Sequence, residues 1–133
     1  PTAAAPVLGS YQSGASIYRS SLLLLVTLVC FTGALLSDSA YVKEPETQWS
    51  NFSAWLLAFG MLFLGLAIIV NIIGFVATYR RRHRPPNWLS NLFVVAAAVT
   101  ALFDNFIHSH DGWTSVWPTG LMLSAMATLF LFV

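Results

Sequence analysis

Apolar residues fall along this chain in four long runs, parted by short polar stretches. The first is SLLLLVTLVCFTGALL (21–36), which holds no charge. The second runs from Ala54 to Tyr79, the third from Trp88 to about His108, and the fourth from Pro118 to Val133. Crossing a hydrocarbon core takes about 20 helical residues at about 1.5 Å each. The second and third runs meet that length outright. The first meets it if the helix starts near Ile17, with Arg19 snorkelling to the headgroups. The fourth is short for a span. The pattern therefore predicts spans at about 17–36, 54–79, 88–108 and 118–133. The stretch PTAAAPVLGSYQSGAS (1–16) is small and polar and predicts a loose N-terminal arm. The expected fold class is an all-α integral membrane protein, a single four-helix up-down bundle over 17–133.

Breakers and small residues refine the picture. Pro85-Pro86 stops the second helix, Asn87 suits the N-cap of the third, and Pro118 suits the first turn of the fourth. Gly120, Ser124 and Thr128 recur every fourth residue, as do Ala97 and Ala101, and Ala67 and Asn71. Small residues let membrane helices approach closely, so these are the expected packing faces. The ten phenylalanines would then face lipid or a partner.

Charge orients the bundle. The loop RRRHRPP (80–86) carries Arg80, Arg81, Arg82 and Arg84. The positive-inside rule puts it in the cytoplasm, and Arg19 with it. Lys43 and all the acids (Asp38, Glu44, Glu46, Asp104, Asp111) then fall outside or at the outer rim. Both termini are expected in the cytoplasm of a bacterial inner membrane. Tyr41, Trp49, Trp55, Trp113 and Trp117 mark the outer interface, and Tyr18, Tyr79 and Trp88 the inner one. The arginine loop is also the expected contact for anionic lipid headgroups such as cardiolipin.

Composition agrees: the chain is 57% hydrophobic and 8% charged, with a mean hydropathy of +0.73. Soluble domains carry about 25% charged residues, so the bilayer must be the main solvent. The single Cys30 excludes an internal disulfide and a cysteine-based zinc site; mid-run, it reads as a small apolar filler. Asn51-Phe52-Ser53 fits a glycosylation sequon, a short and unspecific match.

Candidate chemistry gathers in FDNFIHSHDGWTSVWPTG (103–120). If the third helix continues so far, Asp104, His108 and Asp111 share one face and His110 points away. Such a trio could ligate a divalent metal, with Glu44 and Glu46 from the facing loop completing the shell. The plainer alternative is that His108 bonds Asp104 and caps a helix end at the interface. A bis-histidine haem needs imidazoles on facing helices. The other runs hold none, and His83 lies on the opposite side, leaving a single-histidine haem or bacteriochlorophyll at His108. Ion transport normally needs ionisable groups at mid-membrane, and only Asn71 and Asp104 come near. No nucleophile triad or phosphate loop appears, and one short basic loop does not make a nucleic-acid site.

The stretches ALLSDSAY (34–41), WSNFSAWLLAFG (49–60) and FIHSHDGWTSVWPTGLMLSA (106–125) resemble the bacterial small membrane proteins catalogued as domain of unknown function 2231. The resemblance covers roughly 20–130, and its most specific residues are His108, Asp111, Trp113, Thr114, Pro118 and Gly120. It implies a four-helix inner-membrane protein and supplies no mechanism. In that family position 110 is often not histidine, which weighs against a two-histidine ligand scheme.

These readings lead to a non-enzymatic accessory or structural subunit. It would need no cofactor and would pack against a larger membrane assembly, such as a respiratory or photosynthetic electron-transport complex. The alternative is a small redox or metal protein using Asp104, His108 and Asp111. A third reading is a binder of a quinone-like or lipid molecule between the helices.

Overall fold

The computed structural model describes residues 4–82, 88–110 and 116–132, with side chains over 20–76, 88–110 and 116–132. It is all-helical there. Helix α1 spans Ala4–Lys43, α2 Thr47–Arg82, α3 Trp88–His110 and α4 Leu121–Phe132. Three of these contain stretches long and apolar enough to cross a membrane, namely Ser20–Lys43, Thr47–Val76 and Trp88–His110. The apolar stretch Val116–Phe132 is shorter. The expected four-helix class is therefore what the chain adopts.

Its boundaries differ from the hydropathy pattern in three places. Helix α1 begins at Ala4, so residues 4–16 of the stretch expected as a loose arm are helical. Its alanines are strong helix formers, and Pro6 falls in the first turn, where a missing N–H is tolerated. At its other end α1 runs on to Lys43, and α2 starts at Thr47. The connection that hydropathy draws over 37–53 shrinks to 44–46. Pro45 forces that break, because the residue before a proline avoids the helical region; Glu46 N–H then bonds Glu44 O at 2.8 Å. Finally, α4 starts at Leu121 rather than Pro118. Trp117, before the proline, is extended (φ −115°, ψ 131°), which kinks Val116–Gly120 away from a continuous helix.

Neighbours run antiparallel around a ring, α1 against α2 and α4, and α3 against α4 and α2. The pairing Ser37 to Trp49 at one level and Phe31 to Gly60 further down shows the sense of α1 and α2. Asp104 to Ser124 and Phe93 to Phe130 show that of α3 and α4. Buried positions on α2 are Ser50, Ser53, Leu57, Gly60, Leu64 and Ala67. Their alternating three- and four-residue steps are the seam of near-parallel helices. On α1 the seam reads Thr27, Phe31, Ala34, Asp38 and Tyr41.

The middle of the bundle is apolar: Phe31, Ala34, Leu57, Leu64, Ala101 and Ala127 pack together. Lipid tails are as apolar as these side chains, so burial against lipid drives little, and close fit holds the helices. Gly60 illustrates it. A Cβ there would stand 2.5 Å from the Phe31 ring and 3.2 Å from Cys30 Cβ. Ala97, Ala101, Gly120, Ser124 and Thr128 are all buried. Asn71 is exposed and returns its amide to the Ala67 carbonyl of its own helix at 3.0 Å.

Candidate functional site: a buried polar cluster shared by four helices

Above the apolar middle, towards the ends of α1 and α3, the seam turns polar. Asp38 on α1, Ser53 on α2, Asp104 and His108 on α3, and Ser124 on α4 are all buried. Each follows from helical spacing. Asp38 stands one turn beyond Ala34, Ser53 one turn before Leu57, and Asp104 one turn beyond Thr100. His108 is one turn further, and Ser124 one turn beyond Gly120. Asp104 lies six residues inside the end of α3, a depth of about 9 Å at about 1.5 Å per residue.

His108 is the hub. Its Nε2 lies 3.0 Å from Asp38 Oδ1. Its Nδ1 lies 3.0 Å from the Asp104 main-chain oxygen and 3.1 Å from Asp104 Oδ1. The Nδ1 hydrogen serves the main-chain oxygen, so Asp104 Oδ1, though close, has no hydrogen-bond partner among the described residues. Ser53 Oγ stands 3.5 Å from Nε2 and donates to the Ala34 carbonyl at 3.4 Å. Ser124 closes the far side: its Oγ is 2.5 Å from Asp38 Oδ2 and 2.6 Å from Asp104 Oδ2. The side chains of Asp38, Asp104 and His108 are 0% exposed. Nearby, Ser37 Oγ donates to Trp49 O at 2.8 Å, tying the tops of α1 and α2.

Ionisable groups inside a membrane bundle are costly and pair with one another. Here they pair through directional contacts that span the whole ring of helices. Removing one partner leaves the others buried and unpaired. The arrangement can lock the ends of four helices together, and it can hold protons among the carboxyls and the imidazole.

The expected pairing of Asp104 with His108 is present, and His110 is exposed. Their third partner is Asp38. Asp111, the third ligand suggested by spacing, lies outside the described residues, as do Trp113 and Thr114. Glu44 and Glu46, expected to complete the shell, are exposed in the α1–α2 turn, and Asp38 is the acid that stands beside the imidazole. Both ring nitrogens of His108 face oxygens, so a metal or haem iron there would have to displace one of these contacts. Arg80, Arg81 and Arg82 end α2, with side chains outside the described set; Arg84 lies outside it altogether.

The charge pattern puts Asp38 at the rim, and the four-residue spacing of Ser124 marks it only as a small packing residue. A signal for Asp38 was present: the run 21–36 is too short to span, and the seam 27, 31, 34 continues in step to 38 and 41. Tyr41, expected in the interfacial belt, is buried on that seam. Trp49, Trp55, Trp88 and Trp117 are exposed.

Comparison with protein families agrees with this architecture. The family described as "Predicted membrane protein (DUF2231)" matches residues 21–133, and the chain belongs to that family. Comparison with curated proteins and with solved structures finds no match.

Proposed function

We propose that this multi-pass membrane protein is a non-enzymatic accessory subunit that packs one flank of α3 against a larger membrane assembly. The observation carrying this reading is a stripe on that helix. Leu102, Asn105, Phe106 and Ser109 recur at helical spacing and line a shallow groove of about 140 Å³ on the outside of the bundle. Phe106 is 63% exposed. Asn71 closes its amide on its own helix; the Asn105 amide has no partner among the described residues. A side-chain amide on an apolar face is the kind of group that joins membrane helices. The groove is well below the roughly 300 Å³ of a small-molecule pocket, which sets a partner helix ahead of a quinone-like ligand. Under the charge-based topology the stripe lies at the outer end of α3, in a bacterial inner membrane. An electron-transport complex is the expected class of assembly.

Photo-crosslinking in native membranes tests this. A crosslinker at Phe106 should give a discrete product with another membrane protein, and one at Leu62 on the lipid-facing side of α2 should not. Migration of the chain alone on native gels, from mild detergent and from native nanodiscs, together with no product at Phe106, rejects the subunit reading.

A further inference from the structure

The polar cluster has more short oxygen–oxygen contacts than its fixed hydrogens can fill. Ser124 carries one hydroxyl hydrogen, yet its Oγ lies 2.5 Å from Asp38 Oδ2 and 2.6 Å from Asp104 Oδ2. Those are the lengths of charge-assisted O–H···O bonds. The hydroxyl donates to one carboxylate only. The second contact needs a hydrogen on the other carboxyl, donated to the serine oxygen. At the hub, Nδ1 faces a main-chain carbonyl, which only accepts, so Nδ1 carries hydrogen. One further hydrogen bridges Nε2 and Asp38 Oδ1. On the imidazole, the more basic of the two partners, that hydrogen makes the set imidazolium, one carboxylate and one carboxylic acid, with no net charge. Two carboxylates with one imidazolium would leave an uncompensated charge on fully buried side chains, the costly alternative.

We propose that Asp38 and Asp104 together hold one exchangeable proton, shared through the Ser124 hydroxyl, which makes the cluster a proton-binding site at one end of the bundle. Losing that proton leaves one negative charge, and Ser124 Oγ can then satisfy only one of the two carboxylates. Asp38 belongs to α1 and Asp104 to α3, so release loosens the α1–α3–α4 junction. The groups facing the site are few. On α1, Tyr41 is buried one turn beyond Asp38. On α3, His108 is part of the cluster and His110 is exposed. Among the described side chains, α2 and α4 bring hydroxyls (Ser53, Ser124) and no charged group, and Lys43, Glu44 and Glu46 are exposed at the turn. Below the cluster the apolar core of Phe31, Leu57 and Leu64 closes the other half, so exchange runs to the polar end.

The chain has three aspartates, Asp38, Asp104 and Asp111, which makes the test direct. The full chain, labelled at the aspartate carboxyl carbon and held in lipid nanodiscs, is observed by solid-state NMR at neutral pH. The expected spectrum has one resonance at the carboxylic-acid position, or two at a common intermediate position if exchange is fast. Asp111→Asn should remove an ionised resonance and leave the rest. Ser124→Ala, which deletes the bridge, should move the shifted resonance. Three aspartates at the ionised position overturn the proposal. So does a protonated resonance that disappears with Asp111→Asn. Should Ser124→Ala not fold, the wild-type and Asp111→Asn spectra still decide.

Discussion

The two halves of this bundle are held by different physics. In the apolar middle, Phe31 lies against Gly60, and Leu57, Leu64, Ala101 and Ala127 fill what remains. Contact there is non-directional, and a membrane supplies no strong hydrophobic drive, so shape decides. At the polar end a handful of atoms on all four helices meet at set distances around His108 and Ser124. Shape matters less there than the matching of donors to acceptors. The middle should tolerate chemistry that keeps its volume, and the polar end should tolerate only changes that keep its hydrogen count.

The largest effect is expected from removing the hub. His108→Leu keeps bulk but leaves Asp38 and Asp104 facing each other across Ser124 without a cation. Breaking a buried pair by deleting one partner costs about 3–5 kcal/mol. Thermal unfolding in nanodiscs, followed by helical circular dichroism, should show a much lower midpoint. Adding Asp38→Asn and Asp104→Asn to His108→Leu removes the stranded charges and should recover much of the loss. A triple variant no more stable than the single one would mean that the imidazole's packing, not its charge, holds the polar end.

In the middle the matching test is steric. Gly60→Ala puts a Cβ into the Phe31 ring, and overpacking of this kind costs about 1–3 kcal/mol. Gly65→Ala meets nothing within 4 Å and should be neutral, or stabilise by up to about 1 kcal/mol, since alanine is the better helix residue. Equal responses at the two glycines, read by the same unfolding experiment, would refute the claim that α1 and α2 are held by fit at Gly60.

This division also explains what was legible in the sequence. Helix number and class follow from run length and composition, because a bilayer leaves so few alternatives. The small-residue spacings of α3 and α4 point to positions that are buried. Asp104 and His108 pair as an i, i+4 step within one helix, which needs no tertiary knowledge. Asp38 was hidden because hydropathy drops at Ser37-Asp38-Ser39, and a drop in hydropathy looks the same for a loop and for a helix turning polar residues inward. From spacing Ser124 is only a small residue, because its role depends on two carboxylates from other helices, a three-body arrangement that no local spacing encodes. Asn105 is silent in the sequence for the opposite reason: a lone amide in an apolar helix carries no signal of which way it faces.

The smallest effect distinguishes the halves most cleanly, because it applies one deletion to both. Thr27 is fully buried in the middle, and its hydroxyl bonds the Leu23 carbonyl of its own helix at 2.9 Å. That carbonyl keeps its backbone partner when the hydroxyl goes, so Thr27→Val, nearly equal in shape, should change stability by less than about 0.5 kcal/mol. Ser124→Ala also deletes one buried hydroxyl, but it leaves two carboxyl oxygens without a partner and should cost about 1–3 kcal/mol. The two variants are alike in burial and in the atom removed; they differ in whether the partner has anywhere else to bond. Equal costs would mean that Ser124 only fills space between α1 and α3, and the polar end would then be held, like the middle, by fit.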